Sequence, residues 1–196
     1  ARCVGRPGGS GATSRARAVR DASTSSAAGR LIAMHTEQRQ VGWALARPLP
    51  GPVSLREQQY YAQSRNAFWR IMGVLFGAAQ ERPYEDRLKI LLRHRVVLWD
   101  VCASADRPGA LDASIRQASV VPNDFSSFFV THRELRLVCF NGQAAAELYR
   151  RRVRPGLSEE LQALRSDVLP STSPAHAAMT FEHKLERWSI VREAAR

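Results

Sequence analysis

Cysteine is scarce in this chain: Cys3, Cys102 and Cys139 are its only three among 196 residues. They lie far apart and none forms a CxxC pair. No disulfide framework, structural zinc site or four-cysteine iron–sulfur cluster can be built from them. Cys102 and Cys139 sit in or beside apolar runs, which reads as buried free thiols. Long apolar runs are missing too. None reaches membrane-spanning length, so a soluble chain with no membrane partner is expected. Acidic residues are outnumbered, 18 against 29 Lys and Arg, which leaves a net charge of +11 and a pI near 10.8. That imbalance favours a polyanionic partner, because neutralising phosphates releases condensed counterions. Charge alone does not establish such a partner, since part of the surplus lies in an unusual N-terminal stretch.

That stretch, residues 1–40, has no aromatic residue and few acidic ones. Gly, Ser, Ala and Arg dominate it, as in RPGGSGATSRARAVRDASTSSAAGR. Such a segment cannot offset its ordering entropy by burial and is expected to be a disordered basic arm. A transit peptide has the same Arg- and Ser-rich, acid-poor composition. A non-native leader is the third reading, with Met34 as an internal candidate start. Composition does not separate these. A cytoplasmic location is expected, with organellar targeting by the arm left open. The folded domain is assigned to residues 41–196.

What is present from residue 41 is an alternation of strands and helices. VGWALA (41–46) reads as a strand ending at a Pro-rich loop, and Ser54 to Tyr61 as a short helical turn. Asn66 to Ala79 reads as an amphipathic helix, with Phe68, Ile71, Met72, Leu75 and Phe76 on one face. Pro83 opens the next helix, whose buried side is Tyr84, Leu88, Leu91 and Leu92. VVLWDVCA (96–103) is a continuous β-branched run, as a strand covered on both faces should be. Asn123 is the expected N-cap of a helix carrying Phe125, Phe128 and Phe129. LRLVCF (135–140) is the next buried strand, followed by a helix from Gln143 to Arg152. A last strand is expected within 162–169. A closing helix, Thr180 to Ala194, carries Phe181, Leu185, Trp188 and Val191. The pattern predicts an α/β fold with a mainly parallel sheet covered on both faces. Ligands of such sheets bind at the carboxyl ends of the strands.

Three segments fall at those ends: Pro50 to Trp69, Trp99 to Cys102, and Pro170 to His176. The first, PGPVSLREQQYYAQSRNAFW, mixes polar and aromatic residues; read blandly, it is a loop in which Asn66 merely caps a helix. In LPSTSPAHA (169–177) two prolines bracket three hydroxyl residues. Small polar residues with free backbone N–H groups suit a phosphate, because they allow close approach.

SLREQQYYAQSRNAFWRIMG, LWDV with the following RPG, PNDF, FNG and LPSTSPAHA occur in this order, and together they resemble the hypoxanthine-DNA glycosylases. These are family 6 of the uracil-DNA glycosylase superfamily. The resemblance covers about Pro50 to Trp188. It implies a three-layer α/β/α fold with a short, mainly parallel sheet. It further implies base excision repair of hypoxanthine in deoxyinosine, by a monomer acting on DNA without metal or cofactor. Asn66 and Asn141 would be the catalytic residues, supplying amide donors or orienting water. Asp100 stands where related uracil enzymes carry a base-reading amide. Tyr60, Tyr61 or Phe68 would stack on the flipped base, with a core role the stronger expectation for Phe68. Ser171, Thr172 and Ser173 would grip the DNA backbone, with Ala175 and His176 near the gap left by the base.

One departure stands out. The family carries a small-residue loop of the type G-S-x-P-G after its first strand. Here the residues are Ala46-Arg47-Pro48-Leu49-Pro50-Gly51. The second reading is a uracil or mismatch glycosylase, against which Asp100 in place of an amide argues. Arg47 and Pro48 open a third, a catalytically inactive DNA-binding relative.

Overall fold

The computed structural model describes residues 41–109 and 111–193. The expectations for residues 1–40 lie outside the described residues. Four parallel strands form the main sheet: β1 (Trp43–Arg47), β2 (Val96–Asp100), β5 (Leu137–Asn141) and β6 (Ser166–Leu169), in the order β2-β1-β5-β6. A short antiparallel pair, β3 (Cys102–Ser104) and β4 (Val121–Pro122), stands apart. The helices are α1 (Pro52–Glu57), α2 (Phe68–Phe76), α3 (Tyr84–Arg93), α4 (Phe125–Thr131), α5 (Gln143–Leu148), α6 (Glu159–Gln162), α7 (Phe181–Trp188) and α8 (Ile190–Glu193).

Strand alternation explains the three layers. Trp43 and Leu45 of β1, Val96 and Leu98 of β2, and Leu137 and Cys139 of β5 face one core, closed by α2, α3 and the Trp188–Val191 turn. The intervening residues Ala44, Ala46, Val97, Trp99, Val138 and Phe140 face the other, closed by Phe125, Phe128 and Phe129 of α4 and by Leu148 and Tyr149. Successive strand residues point to opposite faces, so a strand apolar at every position must be covered on both sides. Cys102 and Cys139 are buried free thiols, and burial pushes both up to about 12.

Several boundaries differ from expectation, each for a physical reason. The run 96–103 is not one strand. Val101 N still donates to Arg47 O at 2.8 Å and Cys102 N to Pro48 O at 3.1 Å, at the very end of β1; the chain then leaves the sheet to pair with β4. Asp124, not Asn123, caps α4, because it stands three residues before Ser127 and accepts from its N–H at 2.9 Å. Asn123 instead donates Nδ2 to Asp100 O at 2.7 Å, tying this turn to the end of β2. The turn after α5 widens to π-helical geometry over Tyr149–Val153, with both end residues buried. The closing helix is broken at Ser189.

Candidate active site

The chain passes from β1 to β2 on one side of β1, then crosses to β5 on the other. That reversal makes the carboxyl ends of β1 and β5 a topological switch point, where open parallel sheets form a crevice. A cavity of about 630 Å³ opens there. Its walls come from separate parts of the chain: Arg47 ending β1 and Leu49 after it, Tyr61 and Asn66, Asn141 ending β5, and Ser171 to Ala175 after β6. Arg65, Arg107 and Asp112 also line it, so three cations face it against one carboxylate.

Asn141 is buried at the end of β5 and joins three segments. Its Nδ2 donates to Tyr61 Oη at 3.0 Å and to Thr172 Oγ1 at 2.8 Å, and its Oδ1 accepts from Thr172 N at 2.9 Å. Both amide hydrogens are thus spent on protein, and one lone pair of Oδ1 remains. The adjacent Gly142 has φ 90°, a conformation essentially reserved for glycine, and a Cβ there would lie 3.0 Å from Ser171 Cβ. The tight turn brings β5 against the 170–176 loop.

Asn66 presents the complementary case. Its Oδ1 accepts from Phe68 N at 3.0 Å just ahead of α2, and no acceptor among the described residues takes its Nδ2 hydrogens. Ala67, not Asn66, is the N-cap of α2; Asn66 lies one residue ahead of it, its oxygen closes a turn onto the first helical N–H, and it also offers the cavity a donor. Tyr61 lines the cavity with φ 55°, strained for a bulky residue. Its ring stacks on Phe68 with centroids 3.8 Å apart. Phe68 is fully buried and does not line the cavity; it backs Tyr61 from within the core. Burial pushes the Tyr61 hydroxyl up to about 12, keeping it neutral.

Asp100 also lies behind the wall rather than on it. It is completely buried at the end of β2, in register with Arg47 of β1. Arg47 Nε donates to Asp100 Oδ1 at 2.5 Å, and Tyr60 Oη donates to Oδ2 at 3.2 Å. The guanidinium lies over the Tyr60 ring at 4.0 Å and 5.2 Å from the Tyr61 ring. Burial alone would lower the Arg47 guanidinium; the Asp100 carboxylate outweighs it, and the group is held above its ordinary value. Arg107 bonds Pro50 O and Asp112 from the opposite rim. Burial raises the Asp112 carboxyl, opposed by Arg107.

The 170–176 loop is anchored from behind. Trp188 Nε1 donates to Pro170 O at 2.9 Å, Ala67 N to Thr172 O at 3.0 Å, and Lys184 Nζ to His176 O at 2.8 Å. Thr172 is turned inward and its hydroxyl is taken by Asn141, so Ser171 and Ser173 are the hydroxyls nearer the surface. His176 is exposed beyond the cavity rim. Sequence reading quoted Ser54 and Arg107 within the segments that carry the resemblance but gave neither a role, and it did not single out Asp112; their places in the site depend on contacts with Arg47, Pro50 and one another that only the fold supplies. Among the described residues, no group of three or more His, Cys, Asp or Glu is placed to hold a metal ion.

Comparison with known proteins bears on this arrangement. No family model matches the chain. A hypoxanthine DNA glycosylase of Methanosarcina acetivorans is 38% identical over 144 residues, 73% of this chain and 85% of that protein. One from Methanosarcina barkeri is 39% identical over 100 residues, 50% of this chain and 62% of its own length. A solution NMR structure of a Methanosarcina acetivorans protein, provisionally named a uracil DNA glycosylase, superposes with a TM-score of 0.66 at 33% identity. It covers 81% of this chain and 94% of its own.

Proposed function

Because the chain belongs to the hypoxanthine DNA glycosylase family of the uracil-DNA glycosylase superfamily, we propose that it is a DNA repair glycosylase excising hypoxanthine from deoxyinosine. The observation that carries this reading is the convergence of Tyr61, Asn66, Asn141 and Ser171 to Ala175, from three distant segments, on one cavity at the switch point. The enzyme is monofunctional, soluble, cytoplasmic and monomeric on this reading, with DNA as its macromolecular partner.

A base inside a duplex cannot be reached, so it must swing into the cavity. There it stacks on Tyr61, whose ring is stiffened by Phe68 and whose hydroxyl is held by Asn141. The C1′–N9 bond then breaks through an oxocarbenium-like state, and the bonding pair leaves on the purine. Water adds its oxygen to C1′, and one of its protons goes to the departing base. Asn66 Nδ2 is the amide donor with hydrogens to give, either to that base or to the water. The remaining lone pair on Asn141 Oδ1 accepts from the water. Neither amide is a strong base, so the rate rests on placed donors and on the cations lining the cavity. Ser171 and Ser173 grip the phosphates from the anchored loop, and His176 lies beside the strand. No helix among the described residues is long and apolar enough to cross a membrane.

The direct test is incubation with duplexes carrying one deoxyinosine or one deoxyuridine, followed by alkaline cleavage of abasic sites. Cleavage at deoxyinosine, well above that at deoxyuridine, is expected. Binding without any abasic product would replace this reading with that of an inactive DNA-binding relative.

A further inference from the structure

Arg47 stands at the one position where the chain most departs from the small-residue pattern, and the structure gives it a defined place. Its backbone ends β1 at the switch point, and the residue lines the cavity. Each part of the guanidinium can be accounted for. Nε is bound to Asp100, Nη1 lies 3.5 Å from Ser54 Oγ, and one face lies on Tyr60. Nη2 is buried and has no hydrogen-bond acceptor. An aromatic ring under the face does not replace an acceptor in the plane, where the N–H bonds point. A buried donor without a partner is costly, so an acceptor brought to it by a ligand would be favoured. Here the orphan belongs to a residue 95% buried, fixed by a carboxylate and two tyrosines, and 5.2 Å from the Tyr61 ring.

We propose that Arg47 is a specificity-determining residue that reads the acceptor edge of a flipped 6-oxopurine. Hypoxanthine presents O6 and N7, two adjacent acceptors, the edge on which arginine reads guanine in DNA. Adenine presents an amino donor in place of O6, and a guanidinium cannot accept from it. A cation at that edge thus favours the deaminated base over its parent, the choice such an enzyme must make among abundant adenines. Uracil offers a single acceptor at the matching edge and gains less. Guanine shares the O6 and N7 pattern, so its exclusion falls to other walls of the cavity. Asp100 is then a positioning residue: it fixes the plane of Arg47 and never meets the base.

This inference rests on the glycosylase reading for its first readout and stands apart from it in the second. Arg47→Met alone strands a buried carboxylate, so the test uses Arg47→Met with Asp100→Asn, which keeps volume and removes both charges. Arg47→Lys, which keeps charge without the planar fork, is measured beside it. Single-turnover excision is followed on duplexes carrying deoxyinosine or deoxyuridine, and calorimetry follows binding of free hypoxanthine and free adenine. Wild type is expected to prefer hypoxanthine in both. In the double variant the hypoxanthine-to-uracil ratio should fall at least about tenfold, with Arg47→Lys between. An unchanged ratio, or faster excision of hypoxanthine by the double variant, makes Arg47 a space-filler and overturns the inference. If wild type cleaves neither duplex, the glycosylase reading fails. Arg47 is then decided by the free bases: equal affinities for hypoxanthine and adenine overturn it, and a preference lost in the double variant sustains it.

Discussion

Asn141→Ala is the perturbation whose consequences can be worked most fully, because every polar atom of that side chain has a known partner. The change removes three hydrogen bonds at once. The most costly loss is the acceptor for Thr172 N, since Thr172 is only 1% exposed. A buried donor left unsatisfied costs about 1–3 kcal/mol, and each lost neutral bond to a hydroxyl adds about 1 kcal/mol. The hydroxyls can rotate to other partners, so the expected loss is about 3 kcal/mol, or roughly 6–12 °C of melting temperature for a domain of this size. Thr172→Val separates the parts: it removes only Oγ1 and keeps Thr172 N–H on Asn141 and Ala67 N on Thr172 O. In the double variant the hydroxyl that Asn141→Ala strands no longer exists. The combined loss should therefore fall short of the sum by about 1 kcal/mol. Thermal denaturation of the four proteins completes the cycle, and single-turnover cleavage of a deoxyinosine duplex accompanies it. Cleavage by Asn141→Ala should slow by about a hundredfold, because Tyr61 and the 170–176 loop lose their common tether. If Asn141→Ala melts within about 1 °C of wild type yet loses its activity, the bracing argument is wrong and the amide acts directly on the substrate.

Asn66→Asp keeps the oxygen that accepts from Phe68 N but removes the unpaired donor and adds a negative charge facing the departing base. Stability should be nearly unchanged while cleavage falls about a hundredfold or more, and near-normal single-turnover rates would remove Asn66 from the chemistry. Gly142→Ala forces a side chain onto φ 90° and ψ 163° and within 3.0 Å of Ser171 Cβ. It should cost about 1–3 kcal/mol and weaken DNA binding, as read by melting and by anisotropy of labelled duplex; wild-type affinity would mean that the loop does not touch DNA. His132 is buried with both ring nitrogens unpartnered, and burial holds its imidazole below the ordinary value of about 6.5. Only the unfolded chain then takes up the proton near that value, so this stability is present above about pH 6.5 and is lost as pH falls toward the folded value. His132→Phe should flatten the dependence of the urea midpoint between pH 7.5 and pH 5, and an identical slope in both proteins would acquit His132.

How much of this was legible in the sequence follows the range of the interactions. The apolar runs ending at Asp100 and Phe140 announced strands covered on both faces, and the spacing of Phe68, Ile71, Met72, Leu75 and Phe76 announced the face of α2; these are patterns within a dozen residues. The end of β2 was not legible, because it is set by where β1 ends beside it at Arg47 and Pro48, residues far away in the sequence. Within the candidate site, Asn66 could be read as polar and capping; the cap proved to be Ala67, and Asn66 stands just ahead of it, bonding Phe68 N and lining the cavity. Thr172 could not be told from Ser171 and Ser173. Three adjacent hydroxyl residues look alike until Asn141, 31 positions earlier, takes one of them inward.

The Arg47–Asp100 pair carries the same argument to the site's chemistry. Read singly, Asp100 was a carboxylate at the end of an apolar strand, where an unpaired charge is too costly to leave. Arg47 was a bulky intruder where small residues belong. Each is explained by the other, 53 residues away and directly opposite in register on the neighbouring parallel strand. The consequence for the site follows from the topology. Because β1 lies between β2 and β5, a residue closing β1 can meet β2 through its ion pair and also line the switch-point crevice. The departure from small residues at the end of β1 thus places a fixed cation, paired with Asp100, in the wall of the switch-point cavity.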